Sequence, residues 1–287
     1  MNVARSPAEL ARRPRAVAIG TFDGVHRGHR AVIGAAVEAG PTPTVVTFHP
    51  HPRAVLGNGV ELLATLDRRL ELLAEAGVED ALVVEFTRET AALAAEDFAR
   101  TYLLAIGAES VAAGEGFRFG RERGGDLELL ARLGVESRPV PLVAGVSSSR
   151  VRALLREGDV RAAAELLGRP AEVAGTVVAG DARGGTLGFP TANLRVDAGL
   201  LVPRFGIYAG SALGYRAAVS IGVNPHYGGA ERRVEAFLLD FEGDLYGEPM
   251  VVELWERLRD EAAFASEQAL VAQIARDVEA ARAAKRP

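Results

Sequence analysis

The stretch Gly20-Thr-Phe-Asp-Gly-Val-His-Arg-Gly-His29 constrains this chain more than any other ten positions. An apolar run, Ala16 to Ile19, precedes it, and a helix-spaced stripe of Val32, Ile33, Ala36 and Val37 follows. A strand, a glycine-bearing turn and a helix start form one unit of a parallel α/β sheet. They also make an anion site, because unpaired backbone N–H groups and the helix dipole both face outward. His26 and His29 lie three residues apart, so they share one face of the first helical turn. They read as a pair of donors aimed at phosphate.

The first 170 or so residues continue in the same style. Strand-like runs occur at 44–48, 81–86 and 110–113, with a weaker one at 137–140. Between them fall helical stripes, one of Leu66, Leu70 and Leu73, another of Phe98, Tyr102, Leu103 and Ile106. Residues 147–155 and 160–167 read as two helices parted by Gly158, and Gly168-Arg169-Pro170 stops the second. After Pro170 the texture changes. Period-two or continuous apolar strands at 172–178, 206–212, 217–221, 234–241 and 250–255 alternate with Gly- and Pro-rich connections. That pattern predicts a small antiparallel barrel or sandwich, closed by a helix with Ser266 as N-cap and Leu270, Val271, Ile274 and Val278 as its buried stripe. The expected division is 1–170 and 171–287.

A length of 287 residues, 48% of them apolar, suits two such domains with full cores. A net charge of −5 argues against a nucleic-acid or anionic-membrane partner. The absence of cysteine excludes disulfides, zinc-thiolate sites and thiol nucleophiles. No apolar run approaches the ~20 residues of a membrane span, and no signal-peptide core follows the arginines at positions 5, 12 and 13. A cytoplasmic enzyme is the expectation.

Three further stretches carry chemistry. Gly145-Val-Ser-Ser-Ser-Arg-Val-Arg152 places hydroxyls and arginines at a helix start, a second phosphate clamp or else an ordinary cap with solvated arginines. Thr47-Phe-His-Pro-His-Pro52 follows the second strand, and its histidines line a loop more readily than they complete a metal cage. Gly180-Asp-Ala-Arg-Gly-Gly-Thr-Leu-Gly-Phe-Pro-Thr-Ala-Asn193 is glycine-dense but is not G-x-x-x-x-G-K-[ST], which excludes P-loop chemistry. Its backbone can still cradle phosphates, and Thr191 and Asn193 offer neutral oxygens suited to Mg²⁺ with ATP. Glu235 stands in an apolar strand, where a carboxylate is costly unless it is paired with Arg232 or Arg233, or functional. As a general base it would take a proton from an alcohol attacking the γ-phosphate.

Gly20–His29 and Ser147–Arg152, with Gly114–Gly120, resemble the N-terminal module of the prokaryotic bifunctional riboflavin kinase/FMN adenylyltransferases, related to the HxGH nucleotidyltransferases. Gly188–Asn193, Gly206-Ile-Tyr208, Ile221–Pro225, Val234-Glu235, Asp240-Phe241, Asp244–Gly247 and Leu258–Glu261 resemble the riboflavin kinase domain of the same family, in the same order. The resemblance implies a Rossmann-like nucleotidyltransferase sheet followed by a small barrel, with flavin and ATP as substrates and Mg²⁺ accompanying ATP. It implies ATP or phosphate binding by Gly20, Phe22, Asp23, Gly24 and Gly28 and by Ser147, Ser148 and Arg150. In the second half it implies the same for Gly180, Arg183, Gly188, Phe189 and Pro190. His26, His29 and Glu235 would be catalytic, and Thr191 and Asn193 would hold the metal. One departure stands out: Gly116 occupies a position usually Asp or Asn, which raises the alternative of a kinase with a weakened adenylyltransferase half. A non-catalytic flavin-binding protein is the other alternative.

Overall fold

The computed structural model describes residues 1–180, 188–223 and 232–287. It divides into two compact units, one of Met1–Glu61 with Leu66–Val146, the other of Leu62–Thr65 with Ser147–Pro287.

The first unit is built on a six-stranded parallel sheet. Its strands are β1 (Asn2–Ala4), β2 (Arg15–Ile19), β3 (Pro43–His49), β4 (Asp80–Glu85), β5 (Ala108–Gly114) and β6 (Glu136–Val140). Their spatial order is β1-β4-β3-β2-β5-β6. Side chains alternate across the pleat, so each central strand feeds two cores. Ala16, Ala18, Val45 and Val83 pack beneath helices Arg27–Glu38 and Leu66–Glu75. Val17, Ile19, Val46 and Leu82 pack on the other side with Phe98, Leu103, Ile106 and Leu130. Helices therefore cover both faces, which is why these strands read as unbroken apolar runs. The stripe expected from Phe98 to Ile106 begins as a helix at Ala95–Ala99 and widens to a π-turn at Arg100–Leu104, which brings residues five apart, Phe98 and Leu103, into the same core.

Chain order reverses between β2 and β5, with β3 and β4 on one side and β5 and β6 on the other. In open α/β sheets the crevice beyond the strand C-termini at such a reversal is where ligands bind. The Gly20–His29 turn leaves β2 at that point.

The second unit is a closed antiparallel barrel in the order β10-β11-β8-β7-β12-β9. Its strands are β7 (Ala171–Val178), β8 (Ala192–Arg195), β9 (Gly206–Ala212), β10 (Tyr215–Val223), β11 (Arg232–Leu238) and β12 (Pro249–Arg259). Closure removes free sheet edges. Val173, Val219, Ile221, Val234, Ala236 and Val252 fill the interior. Helices Ser148–Glu157 and Val160–Leu167 add Val151, Leu154, Leu155 and Leu167 to that same core. Packing thus groups residues 147–170 with the barrel, whereas the change in sequence texture falls at Pro170. Leu62, from far earlier in the chain, pairs with Gly199 and Leu201 in this unit. The closing helix, Glu267–Ala283, starts at Ser266, whose Oγ accepts from Ala269 N at 3.2 Å. Of its expected stripe Val278 is buried, while Leu270, Val271 and Ile274 are only half-buried. Ala281 packs with Trp255 and Ala209, and polar contacts add to this: Arg259 pairs with Asp277 at 2.6 Å, Arg282 with Asp240 at 2.7 Å, and Arg216 lies over the Trp255 ring while donating to Ala284 O.

Candidate active sites

The Gly20–His29 turn is tightly wound. Phe22, Gly24 and Val25 have φ of 50°, 82° and 39°. For Phe and the β-branched Val such values cost on the order of 1–3 kcal/mol each, and strain of that kind collects where geometry serves function. A Cβ on Gly20 would lie 3.1 Å from the Phe22 ring, so a bare backbone there lets the ring tuck beneath the loop. Phe22 and Asp23 are buried, Asp23 to 1% exposure, so they support the loop from below and do not line its surface.

The two histidines are not equivalent. His26 is 6% exposed and caps the helix, its Nδ1 accepting from His29 N at 3.2 Å. With Nδ1 an acceptor, a neutral His26 carries its proton on Nε2. The rings stack with centroids 3.6 Å apart, and Phe22 meets His29 edge-on at 5.4 Å. His26 therefore holds and His29, half-exposed, is presented. A Cβ on Gly28 would come within 3.2 Å of the His26 ring, so this glycine admits the stack.

Next to it, Thr47–Pro52 closes β3. His51 is buried and caps the short helix Pro52–Val55, accepting from Arg53 N at 3.1 Å. His49 is exposed, and burial of its ring atoms, then the charges of Arg69 and Arg5, lower its pKa against the opposing pull of Asp67. No group of three His, Asp or Glu able to hold a metal occurs among the described residues. After β5, Gly116 sits exposed at φ 77° with nothing within 4 Å of where a Cβ would point. Asp and Asn also adopt that left-handed conformation, so either side chain could stand at this position without straining the turn.

Ser147 caps the helix that opens the barrel unit, its Oγ accepting from Arg150 N at 3.2 Å. Arg150 is exposed and Ser148 half-buried, but Arg152 is buried and does not join them at the surface.

In the barrel, β8 and β11 pair so that Asn193 lies directly opposite Glu235, and Asn193 also opposes Val178 on β7. Glu235 does not face the apolar interior. It alternates outward between Val234 and Ala236, sharing the outer face with Arg233 and Phe237. Thr191 Oγ1 donates to Glu235 Oε2 at 3.2 Å, and Arg233 donates to Oε1 at 3.0 Å. The ion pair that the sequence offered as an alternative to function is thus present beside the candidate catalytic contact. Phe189 packs edge-on against Phe237 at 5.4 Å, seating the Gly188–Thr191 approach on the same outer face. Gly188 turns that approach at φ 85°, and Pro190 is exposed. Arg183 and the 224–225 part of the expected Ile221–Pro225 motif lie outside the described residues.

Asn193 is 8% exposed, and its Oδ1 has no hydrogen-bond partner among the described residues. A buried acceptor left this way costs about 1–3 kcal/mol unless a ligand satisfies it. Gly180 makes the arrangement possible, since a Cβ there would fall 2.3 Å from Asn193 Nδ2. An orphaned oxygen beside a threonine hydroxyl, in a cradle a methyl would fill, fits a hard cation.

A strained glycine turn with a presented histidine at a sheet's reversal point, and a carboxylate beside neutral oxygens on a barrel, define a two-unit phosphate-transfer enzyme. Residues 9–148 match the FAD synthetase family model and residues 167–285 the riboflavin kinase model. The bifunctional riboflavin kinase/FMN adenylyltransferase of Escherichia coli K12 is 37% identical over 98% of this chain and 97% of its own. That of Listeria monocytogenes is 35% identical over 94% and 92%. A solved structure from Streptococcus pneumoniae, described as a macrolide-efflux protein, is 32% identical with a TM-score of 0.88 and covers 98% of each chain. The chain belongs to the family of bifunctional riboflavin kinase/FMN adenylyltransferases. No helix among the described residues is long and apolar enough to cross a membrane.

One residue of the first site is missing from the sequence reading. Arg69 is 5% exposed and donates to Thr21 O at 2.7 Å and Phe48 O at 3.0 Å. The signal was its phase: Arg69 lies three residues after Leu66 and four before Leu73, on the same helix face as the stripe.

Proposed function

We propose that the barrel unit phosphorylates riboflavin to FMN and the sheet unit adenylylates FMN to FAD, each with ATP. The observation that carries the kinase assignment is the convergence of Thr191, Asn193 and Glu235 on one face of the barrel, with Gly180 clearing space for Asn193. Glu235 takes the proton of the riboflavin 5′-hydroxyl as that oxygen bonds to the γ-phosphorus and the bond to the β-phosphate oxygen breaks, giving FMN and ADP. Thr191 holds one oxygen of the Glu235 carboxylate at 3.2 Å and Arg233 the other at 3.0 Å, which fixes its orientation toward the hydroxyl. Thr191 and Asn193 would hold Mg²⁺, which when bound offsets charge on the ATP phosphates. The Gly180 and Gly188 backbone, with Arg183, Phe189 and Pro190, would frame the nucleotide.

In the sheet unit a phosphate oxygen of FMN attacks the α-phosphorus of ATP and pyrophosphate leaves. Such chemistry asks for donors around the phosphorus and for in-line placement. Gly20, Gly24 and Gly28 bring backbone close, His29 donates from the first helical turn, and His26 fixes that turn. Phe22 and Asp23 support the loop, and Ser147, Ser148 and Arg150, at a helix start grouped with the barrel unit, offer a separate phosphate-binding element.

The test is a time course. Purified chain with riboflavin, ATP and Mg²⁺, sampled by chromatography, should accumulate FMN first and FAD after it. Absence of both products would contradict the reading, and FMN without FAD would restrict it to the barrel unit.

A further inference from the structure

Arg69 is a charge buried in the first unit that the chemistry above does not use. A guanidinium at this depth is costly; here Nη1 and Nη2 each find a carbonyl, while Nε has no partner among the described residues. Burial lowers its pKa to about 10, with Asp23 acting the other way. A Leu would fill the same helix face at no such cost, so the position asks for what Arg alone supplies, a planar fork able to reach two acceptors at once.

Those acceptors lie where the β2–β3 ladder ends, while β3 stays paired with β4 through His49. The β2–β3 ladder runs from Ala16↔Pro43 to Ile19↔Val46, and Gly20 N still donates to Val46 O at 3.1 Å. Beyond that rung the two chains part. Thr21 begins the turn to His29, and Phe48 leads into the His49–Pro52 loop. Arg69 spans the gap by donating to both carbonyls, and Thr47 Oγ1 adds a second donor to Thr21 O at 3.2 Å.

We propose that Arg69 is a positioning residue for adenylyl transfer: by bridging Thr21 O and Phe48 O it fixes the two loops at the reversal point in the arrangement that presents His29. The inference rests on the reading that the sheet unit adenylylates FMN. Arg69 touches no reacting atom in this role. It acts through the Thr21–Gly24 turn, where a shift of about 1 Å costs roughly 10²-fold in rate.

The experiment uses the full chain as wild type, Arg69→Met and Arg69→Lys, and measures FAD from supplied FMN, FMN from riboflavin, thermal melting and the NMR titration of His49. For Arg69→Met, kcat for FAD formation should fall about 10- to 100-fold while FMN formation stays at the wild-type rate. The deficit should persist at temperatures well below the variant's own melting transition. Loss of the Arg69 charge, leaving Arg5 and Asp67 as the other charges acting on His49, should also move its titration to higher pH. Arg69→Lys keeps the charge but reaches one carbonyl, and should recover part of the rate, leaving a loss of roughly tenfold or less. Wild-type FAD formation by folded Arg69→Met, or a deficit that vanishes below its melting transition, would overturn the inference. Should the Met variant not fold, the Lys variant decides by itself: impaired FAD formation with intact FMN formation supports the bridge, and a wild-type rate refutes it. A wild-type chain that makes no FAD overturns the adenylylation reading and this inference together, whereas a competent wild type beside an unaffected variant overturns this inference alone.

Discussion

Gly180→Ala is the smallest change that separates holding the Asn193 side chain from holding the fold. The new Cβ would fall 2.3 Å from Asn193 Nδ2 and 2.7 Å from Oδ1, where ordinary contacts begin near 3.4 Å. The Asn193 side chain must therefore move by about 1 Å, and a displacement of that size at a reacting centre costs roughly 10²-fold, or about 2.7 kcal/mol of barrier. Stability should change far less. What gives way is a side chain whose one hydrogen bond among the described residues is long, Asn193 Nδ2 to Thr191 O at 3.4 Å, and a bond of this kind contributes about 1 kcal/mol at most. The assay follows FMN from riboflavin and, in the same preparation, FAD from supplied FMN, alongside thermal melting. The expected result is FMN formation down about 100-fold, FAD formation unchanged, and a melting temperature within a few degrees of wild type. A Gly180→Ala chain that makes FMN at the wild-type rate would refute the reasoning, because the cradle would then not position Asn193 for the reaction.

Other outcomes follow from the same geometry. Asp80 lies at the far end of the sheet, pairing with the 1%-exposed Arg15, which also donates to Thr44 Oγ1 at 3.0 Å and Ile106 O at 2.9 Å. Asp80→Asn strands that charge, and denaturant unfolding should show a loss of about 3–5 kcal/mol. Burial acts to raise the Asp80 pKa, but hydrogen bonds and charge from Arg15 and Arg13 outweigh it and hold the carboxyl below its usual value. Its contribution is therefore complete above the unfolded carboxyl pKa and fades as pH falls through the lower folded one; the stability difference between wild type and Asp80→Asn should narrow over that acid range, and a constant difference would contradict the pairing. Gly116→Asn meets open space at φ 77°, a conformation Asn tolerates, so its melting curve should show a loss of no more than about 1 kcal/mol. A larger loss would mean that the turn is held by contacts the structure does not show.

The fold class could be read from the sequence because it rests on signals that local physics writes plainly. Central strands such as 44–48 and 81–86 are apolar on both faces since helices cover both sides of the sheet. Ser147, Gly158 and Ser266 sit at helix ends where cap chemistry puts them. The losses are equally physical. β1 has three residues and β8 four, Ala192–Arg195, too few to show a period, and β8 hides at the end of a glycine-dense stretch. The strip Leu62–Thr65 joins the second unit through a pairing with Gly199–Leu201, which no local pattern announces. In the sites, residue types were legible and their division of labour was not. Spacing made His26 and His29 equals on one helix face, but capping assigns one to hold and leaves the other presented. Period two put Glu235 in an apolar strand without saying which face it took, and the stripe of Leu66, Leu70 and Leu73 leaves out Arg69, which is buried on the same helix.

The claim that two separable active sites share this chain is tested most directly by measuring FMN and FAD formation separately in Glu235→Gln and His29→Ala. Glu235→Gln should lose FMN formation from riboflavin while still converting supplied FMN to FAD, and His29→Ala should do the reverse. If either folded variant lost both reactions, or Glu235→Gln still made FMN at the wild-type rate, the account would be contradicted.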